Sequence, residues 1–168
     1  MWFPDSGNAT MHIYFLRHGD ASSHSRYSDG ERPLTDLGMR QAALVGALLQ
    51  RTNIAVDAAL SSPLKRAQDT ASIVLPYINK QQITFSDVLM NGSDPQRLFE
   101  QLEELRLSSV LLVGHEPYLS ETISLLIGGN RSVELEMRKC SLALVDVSIP
   151  IHQGTGLLKF LLPVETIT

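Results

Sequence analysis

Three short, mainly apolar runs in this chain each lead through a turn signal to a charged or ionisable residue, and that repetition limits the fold more than any other feature. Ile13-Tyr14-Phe15-Leu16 stops at Arg17-His18-Gly19, the run 56–60 leads into Ser62-Pro63 and then Arg66, and the run 109–113 closes at Gly114-His115. Runs of four or five apolar residues bounded by turn signals read as buried strands. Ser62-Pro63 reads as an N-cap and first helical residue of a helix reaching about Ile78, and Glu116-Pro117 opens another. Strands apolar on both faces, alternating with helices, imply a parallel sheet covered on both sides.

The remaining elements complete that pattern. Residues 20–32 are polar, with Ser, Gly and Pro, and read as an exposed loop. Thr35 is an expected N-cap for a helix to about Gln50 with an apolar stripe of Met39, Ala42, Ala43, Leu44, Ala47 and Leu48. A weaker strand is expected over 83–89, and Asp94-Pro95 caps a helix ending near Leu107. Gly128-Gly129 ends the helix that begins at Pro117. Strands over 142–147 and 157–161, with Gly154 and Gly156 between them, read as a terminal hairpin. The expected fold is a three-layer α/β/α sandwich with a mostly parallel central sheet and an antiparallel edge. Residues 1–10 are an expected N-terminal extension, and 11–168 a single domain.

In open α/β sheets, ligands bind beyond the carboxyl ends of the strands. Arg17, His18, Arg66 and His115 are expected at that edge. An arginine offers a planar fork to a phosphate, and a neutral imidazole can attack phosphorus. Arg66 falls in the first turn of its helix, where a cation opposes the dipole by about 0.3–1 kcal/mol unless an anion is bound. The pattern outlines a phosphate site.

Composition narrows the partners. A formal net charge of −4, with both signs interspersed, argues against nucleic acid or an anionic membrane surface. No run approaches the length of a membrane span, and the N-terminus lacks signal-peptide character, so a cytoplasmic protein is expected. The single cysteine, Cys140, reads as a buried structural thiol. His12, His24 and His152 read as surface residues, Arg26 and Arg32 as solvated loop residues. No histidine pair has zinc-site spacing, so neither a metal nor another cofactor is expected.

Four segments in order resemble the histidine phosphatase superfamily, with its phosphoglycerate-mutase-like fold, and its small SixA-type branch in particular. They are Leu16-Arg17-His18-Gly19-Asp20-Ala21, Arg32-Pro33-Leu34-Thr35-Asp36-Leu37-Gly38, Ser61-Ser62-Pro63-Leu64-Lys65-Arg66-Ala67 and Val113-Gly114-His115-Glu116-Pro117. The resemblance implies that His18 is the nucleophile, transiently phosphorylated, and that Arg17, Arg66 and His115 complete the phosphate pocket. Thr70 keeps the family pattern, while Asp69 replaces the usual Gln: either position 69 faces away from phosphate, which is the favoured reading, or the site is slightly altered.

Larger relatives carry an inserted subdomain that supplies a general acid, and residues 79–94 are too few for one. Asp87 and Asp20 are the candidates left for that role. The implied activity is a metal-independent phosphohistidine phosphatase acting on a phosphorylated protein, such as a histidine-containing phosphotransfer domain in signal transduction. A small-metabolite phosphomonoesterase and a non-catalytic phosphate-binding module are the alternatives. A bell-shaped rate profile is expected, its acidic limb from His18 and its basic limb from His115.

Overall fold

Strand β1 (Thr10–Arg17) is apolar on both faces, with Ile13 and Phe15 buried toward one side and Tyr14 and Leu16 toward the other. Such a strand needs cover on both faces, which puts it inside a sheet between helical layers. In the computed structural model, which describes residues 9–80 and 82–167, that is its position. Helices α1 (Asp36–Arg51) and α2 (Lys65–Val74) pack on the Tyr14 side through Ala42, Val45, Leu49, Ala67, Ala71 and Val74. Helices α3 (Pro95–Leu105) and α4 (Tyr118–Gly128) pack on the Phe15 side through Leu98, Phe99, Leu102, Leu119, Ile123 and Leu126.

The other strands are β2 (Ala58–Ser61), β3 (Thr84–Phe85), β4 (Ser109–Gly114), β5 (Leu142–Ser148) and β6 (Leu157–Leu162). The sheet runs β3-β2-β4-β1-β5-β6. Its first four members are mutually parallel, and β5 and β6 add an antiparallel edge. The result is the expected three-layer α/β/α arrangement. Between α2 and α3 the described residues hold only β3 and two short 3-10 helices, Leu75–Ile78 and Asp87–Leu89, with no lid subdomain. No helix among the described residues is long and apolar enough to cross a membrane.

Several local expectations need correction. The buried face of α1 is Gly38, Ala42, Val45, Gly46 and Leu49, while Met39 and Leu44 of the expected stripe are exposed. Close packing at two glycines decides this rotation. A Cβ on Gly38 would lie 2.0 Å from the Asp20 carbonyl oxygen, and one on Gly46 would lie 2.3 Å from the Tyr77 ring. Helix α2 gives way at Val74 to 3-10 geometry, because Pro76 has no N–H for the α ladder. At its other end the helix begins at Lys65, with Leu64 rather than Ser62 in the N-cap position.

Strand β3 is two residues long, and Val88 and Leu89 are buried by a 3-10 turn instead of by the pleat. Helix α3 stops at Leu105, because Arg106 is left-handed at φ 49°. Strand β1 begins at Thr10, the last residue of the expected N-terminal extension, and residues 1–8 of that extension lie outside the described residues.

Candidate active site

Strands β1, β2 and β4 end at Arg17, Ser61 and Gly114, and register holds these ends level. Leu16 and Ser61 both pair with Val113, and Arg17 pairs with Gly114. The next residue on each strand is therefore His18, Ser62 or His115. Backbone bonds from His18 N to the Gly114 carbonyl (3.1 Å) and from Ser62 N to the Val113 carbonyl (2.9 Å) extend the ladder one step past the strands. The two histidine rings lie with centroids 5.0 Å apart.

His18 is 4% exposed, and its Nδ1 lies 2.7 Å from the Gly19 carbonyl oxygen. A carbonyl can only accept, so Nδ1 carries the proton and Nε2 keeps its lone pair. Arg66 Nε, which can only donate, points at that Nε2 from 3.3 Å. Burial, then the Lys139 charge, push the His18 pKa down to about 2, against the Gly19 hydrogen bond. The ring is neutral at any ordinary pH. Gly19 is required for space: a Cβ there would lie 2.7 Å from the Gly38 carbonyl oxygen. Its amide donates to Thr70 Oγ1 (3.1 Å), which donates to the Arg66 carbonyl (2.7 Å) and so ties the His18 turn to α2.

Arg66 is 6% exposed and already engaged. Its Nη1 donates to the Asp29 carbonyl at 2.6 Å and its Nη2 to the Asp29 carboxylate at 3.3 Å. Partial burial pushes the Asp29 carboxyl up, but Arg66 and the Arg32 hydrogen bond outweigh it, leaving the group below the usual carboxylate range. Arg17 Nη1 donates to the Met137 carbonyl at 2.8 Å, whereas its buried Nε has no partner. His115 is 1% exposed, its Nε2 sits 2.7 Å from Ser62 Oγ, and its buried Nδ1 is unpartnered. Burial, then the Arg66 charge, lower the His115 pKa to about 4. A protonated His115 therefore requires an anion in the site. In the free protein His115 is neutral at pH 7, and the expected basic limb from His115 depends on a bound anion raising its pKa.

The structure thus brings Arg17, His18, Arg66 and His115 to one sheet edge. Asp20, two residues after His18, turns its carboxylate to Thr35, accepting a hydrogen bond from Thr35 Oγ1 at 2.7 Å, and is hydrogen-bonded to none of the four. Asp87 does not join them. It lines a groove on the α3 side with Arg97 and Glu104 and makes no hydrogen bond or ion pair with any of the four. Asp69 faces away from the site, pairing with Lys65 and accepting from the Leu34 amide at 3.3 Å. Arg32 is held by the Ser22 carbonyl at 2.6 Å, and Arg26 is exposed. His12, His24 and His152 are exposed, and Cys140 is buried with its thiol pushed up to about 12 by burial.

Three neighbours escaped sequence reading. Ser62 was legible only as a helix cap, Asp29 only as a loop residue, and Lys139 carried no motif at all. Topology held the signal for the last. Because β5 is antiparallel to β1, the residues just before Leu142 must lie beside Arg17.

Comparison with known proteins matches this geometry. Residues 13–91 fit the model of the histidine phosphatase superfamily (branch 1). An uncharacterized protein of Picosynechococcus sp. is 32% identical over 79% of this chain and 82% of its own length. The chain belongs to the histidine phosphatase superfamily. Phosphohistidine phosphatase SixA of Escherichia coli is 28% identical over 71% of this chain and 76% of its own. The structure of the protein histidine phosphatase SixA with tungstate superposes at a TM-score of 0.85, covering 94% of this chain and all of the other at 23% identity. The likeness is to the small SixA-type branch, and the chain is a superfamily phosphatase, a hydrolase.

Proposed function

We propose that this superfamily phosphatase removes the phosphoryl group from a histidine side chain of another protein, in two steps and without a metal or other cofactor. The observation that carries the reading is the set of His18 contacts: Nδ1–H held by the Gly19 carbonyl, and an unprotonated Nε2 that accepts only a long hydrogen bond from Arg66 Nε at 3.3 Å. In the first step His18 Nε2 attacks phosphorus in line. The N–P bond of the substrate breaks, and its electron pair leaves with the departing imidazole, which takes up a proton from solvent. In the second step water attacks the same phosphorus, the bond to His18 Nε2 breaks, and inorganic phosphate is released.

Catalysis of this kind is largely charge stabilisation over the equatorial oxygens. Arg17 supplies its unpartnered Nε, and Arg66 supplies donors once Asp29 yields them. His115 takes a proton when the phosphate dianion raises its pKa from about 4. An imidazole leaving group departs more readily than an alkoxide, so the absence of an acid-bearing lid among the described residues suits a phosphoramidate. The same open edge admits a side chain presented by a folded protein. Resemblance to phosphohistidine phosphatase SixA supports this substrate class, with a phosphotransfer domain in cytoplasmic signal transduction as the partner.

Parallel assays on a phosphorylated histidine-containing phosphotransfer domain and on a panel of sugar phosphates test the reading, with and without chelator. Turnover of the protein substrate, insensitive to chelator and accompanied by an acid-labile phosphoenzyme on His18, is expected. His18→Ala abolishes turnover, and Arg66→Ala costs on the order of 10²-fold, as for one lost transition-state donor. Asp87→Asn leaves phosphohistidine hydrolysis nearly unchanged. Efficient hydrolysis of sugar phosphates alone replaces the protein substrate with a metabolite, and full activity in His18→Ala ends the mechanism.

A further inference from the structure

The segment before β5 reaches the site from the antiparallel side of the sheet, and two hydrogen bonds fix it there. Arg17 Nη1 grips the Met137 carbonyl at 2.8 Å, and Cys140 N donates to the His18 carbonyl at 3.3 Å. Lys139 lies between these anchors, one residue before Cys140, whose φ of 53° turns the chain into the strand. Its side chain is half-buried and makes no hydrogen bond or ion pair with any described residue.

The charged and titratable groups coupled electrostatically to it, besides its neighbour Cys140, come from both sides of β1. They are Arg17 and His18 from the end of β1, Asp20 and Arg32 from the loop that follows, Arg66 from α2, and His115 after β4. Asp20 is the acid among them, and its carboxylate is already shared with Thr35. A half-buried ammonium among three arginines is unfavourable unless an anion completes the set. Beside it, the buried Arg17 Nε also lacks an acceptor.

We propose that Lys139 is a substrate-contacting residue whose Nζ donates to a non-bridging oxygen of the phosphoryl group held by Arg17 and Arg66. The inference rests on the phosphatase reading for its catalytic consequence, and on geometry alone for anion binding. Burial, with help from Arg17, lowers the ammonium pKa to about 8, whereas His18 and His115 lie at about 2 and 4. Above pH 8 the free enzyme loses the Lys139 charge while both histidines are already neutral. The basic limb of kcat/KM, once corrected for ionisation of the substrate, reports free-enzyme groups and should therefore follow Lys139 rather than His115.

The test compares wild type, Lys139→Ala and Lys139→Arg in two measurements: kcat/KM against pH with phosphoramidate, and calorimetric titration with inorganic phosphate. Thermal melts confirm that each variant folds. Lys139→Ala should lose about 10²-fold in kcat/KM at pH 7, the size of one removed donor, and its basic limb near pH 8. Its phosphate Kd should weaken by about ten-fold, in line with one lost charge-assisted hydrogen bond. Lys139→Arg should recover most of both and carry its activity beyond pH 9, because a guanidinium does not titrate there. An unmoved limb in Lys139→Arg, or wild-type kcat/KM and phosphate affinity in Lys139→Ala, overturns the proposal. A wild-type protein that cleaves no phosphoramidate overturns the phosphatase reading instead, and the phosphate titration then decides on Lys139 by itself.

Discussion

Two buried imidazoles 5.0 Å apart make the site costly to protonate, and the cost extends to the fold. His18 and His115 have pKa values of about 2 and 4 in the folded chain, against 6.5 when unfolded. Below pH 6.5 the unfolded chain binds protons that the folded chain refuses, so stability falls as pH falls. Each histidine contributes a slope of about 1.4 kcal/mol per pH unit, ending near pH 4 for His115 and continuing lower for His18. Melting temperature should drop steeply from pH 6 to pH 4 in wild type and less steeply in His115→Asn. Parallel curves for the two proteins would show that His115 is not buried neutral. Asp29 adds a second residue-scale prediction. Its half-exposed carboxylate occupies Arg66, an ion pair of the class worth roughly 0.2–1 kcal/mol. Asp29→Ala should therefore tighten inhibition by inorganic phosphate up to about five-fold, and weaker inhibition would mean that Asp29 orients Arg66 rather than competing for it.

At the scale of elements, helix α1 shows where a sequence speaks and where it is silent. Thr35 was legible as its N-cap, and its Oγ1 accepts from the Gly38 amide at 3.1 Å. Asp94-Pro95 was legible for the same reason: a cap chemistry is local, and here Asp94 accepts from the Gln96 amide at 3.0 Å. The buried face of α1 was not legible. Glycine counts as neutral in an apolar stripe, yet Gly38 and Gly46 face inward because only they allow the backbone so close to Asp20 and Tyr77. The strand-end residues Arg17, His18, Arg66 and His115 could be gathered from their positions after apolar runs. Asp29 could not, since it arrives through a loop whose path depends on tertiary packing, and Lys139 becomes legible only once β5 is known to run antiparallel beside β1. Gly38→Ala puts this to use. With 2.0 Å between the new Cβ and the Asp20 carbonyl, the α1 start must shift, at a cost of about 1–3 kcal/mol for overpacking. Because the Gly38 carbonyl packs against Gly19, kcat should fall with stability, and a variant destabilised at full kcat would uncouple α1 from the His18 turn.

The whole molecule places its candidate site on a seam. Parallel strands β2, β4 and β1 arrive with their ends, and antiparallel β5 arrives with its beginning. Arginines, histidines and Lys139 thus converge from both sides of β1 without any added lid. This construction fixes how far apart in the chain the contributors lie, from Arg17 to Lys139. Bringing such distant segments together carries a loop-closure cost that only the finished sheet repays. No half of the chain can hold the pocket: a fragment ending before Met137 lacks the carbonyl that grips Arg17, and one beginning after Arg32 lacks Arg17 and His18. Activity is therefore a readout of the folded state itself. In a urea titration, turnover and far-UV circular dichroism should vanish along a single curve, and turnover persisting after the sheet signal has gone would mean that the site assembles without its strands.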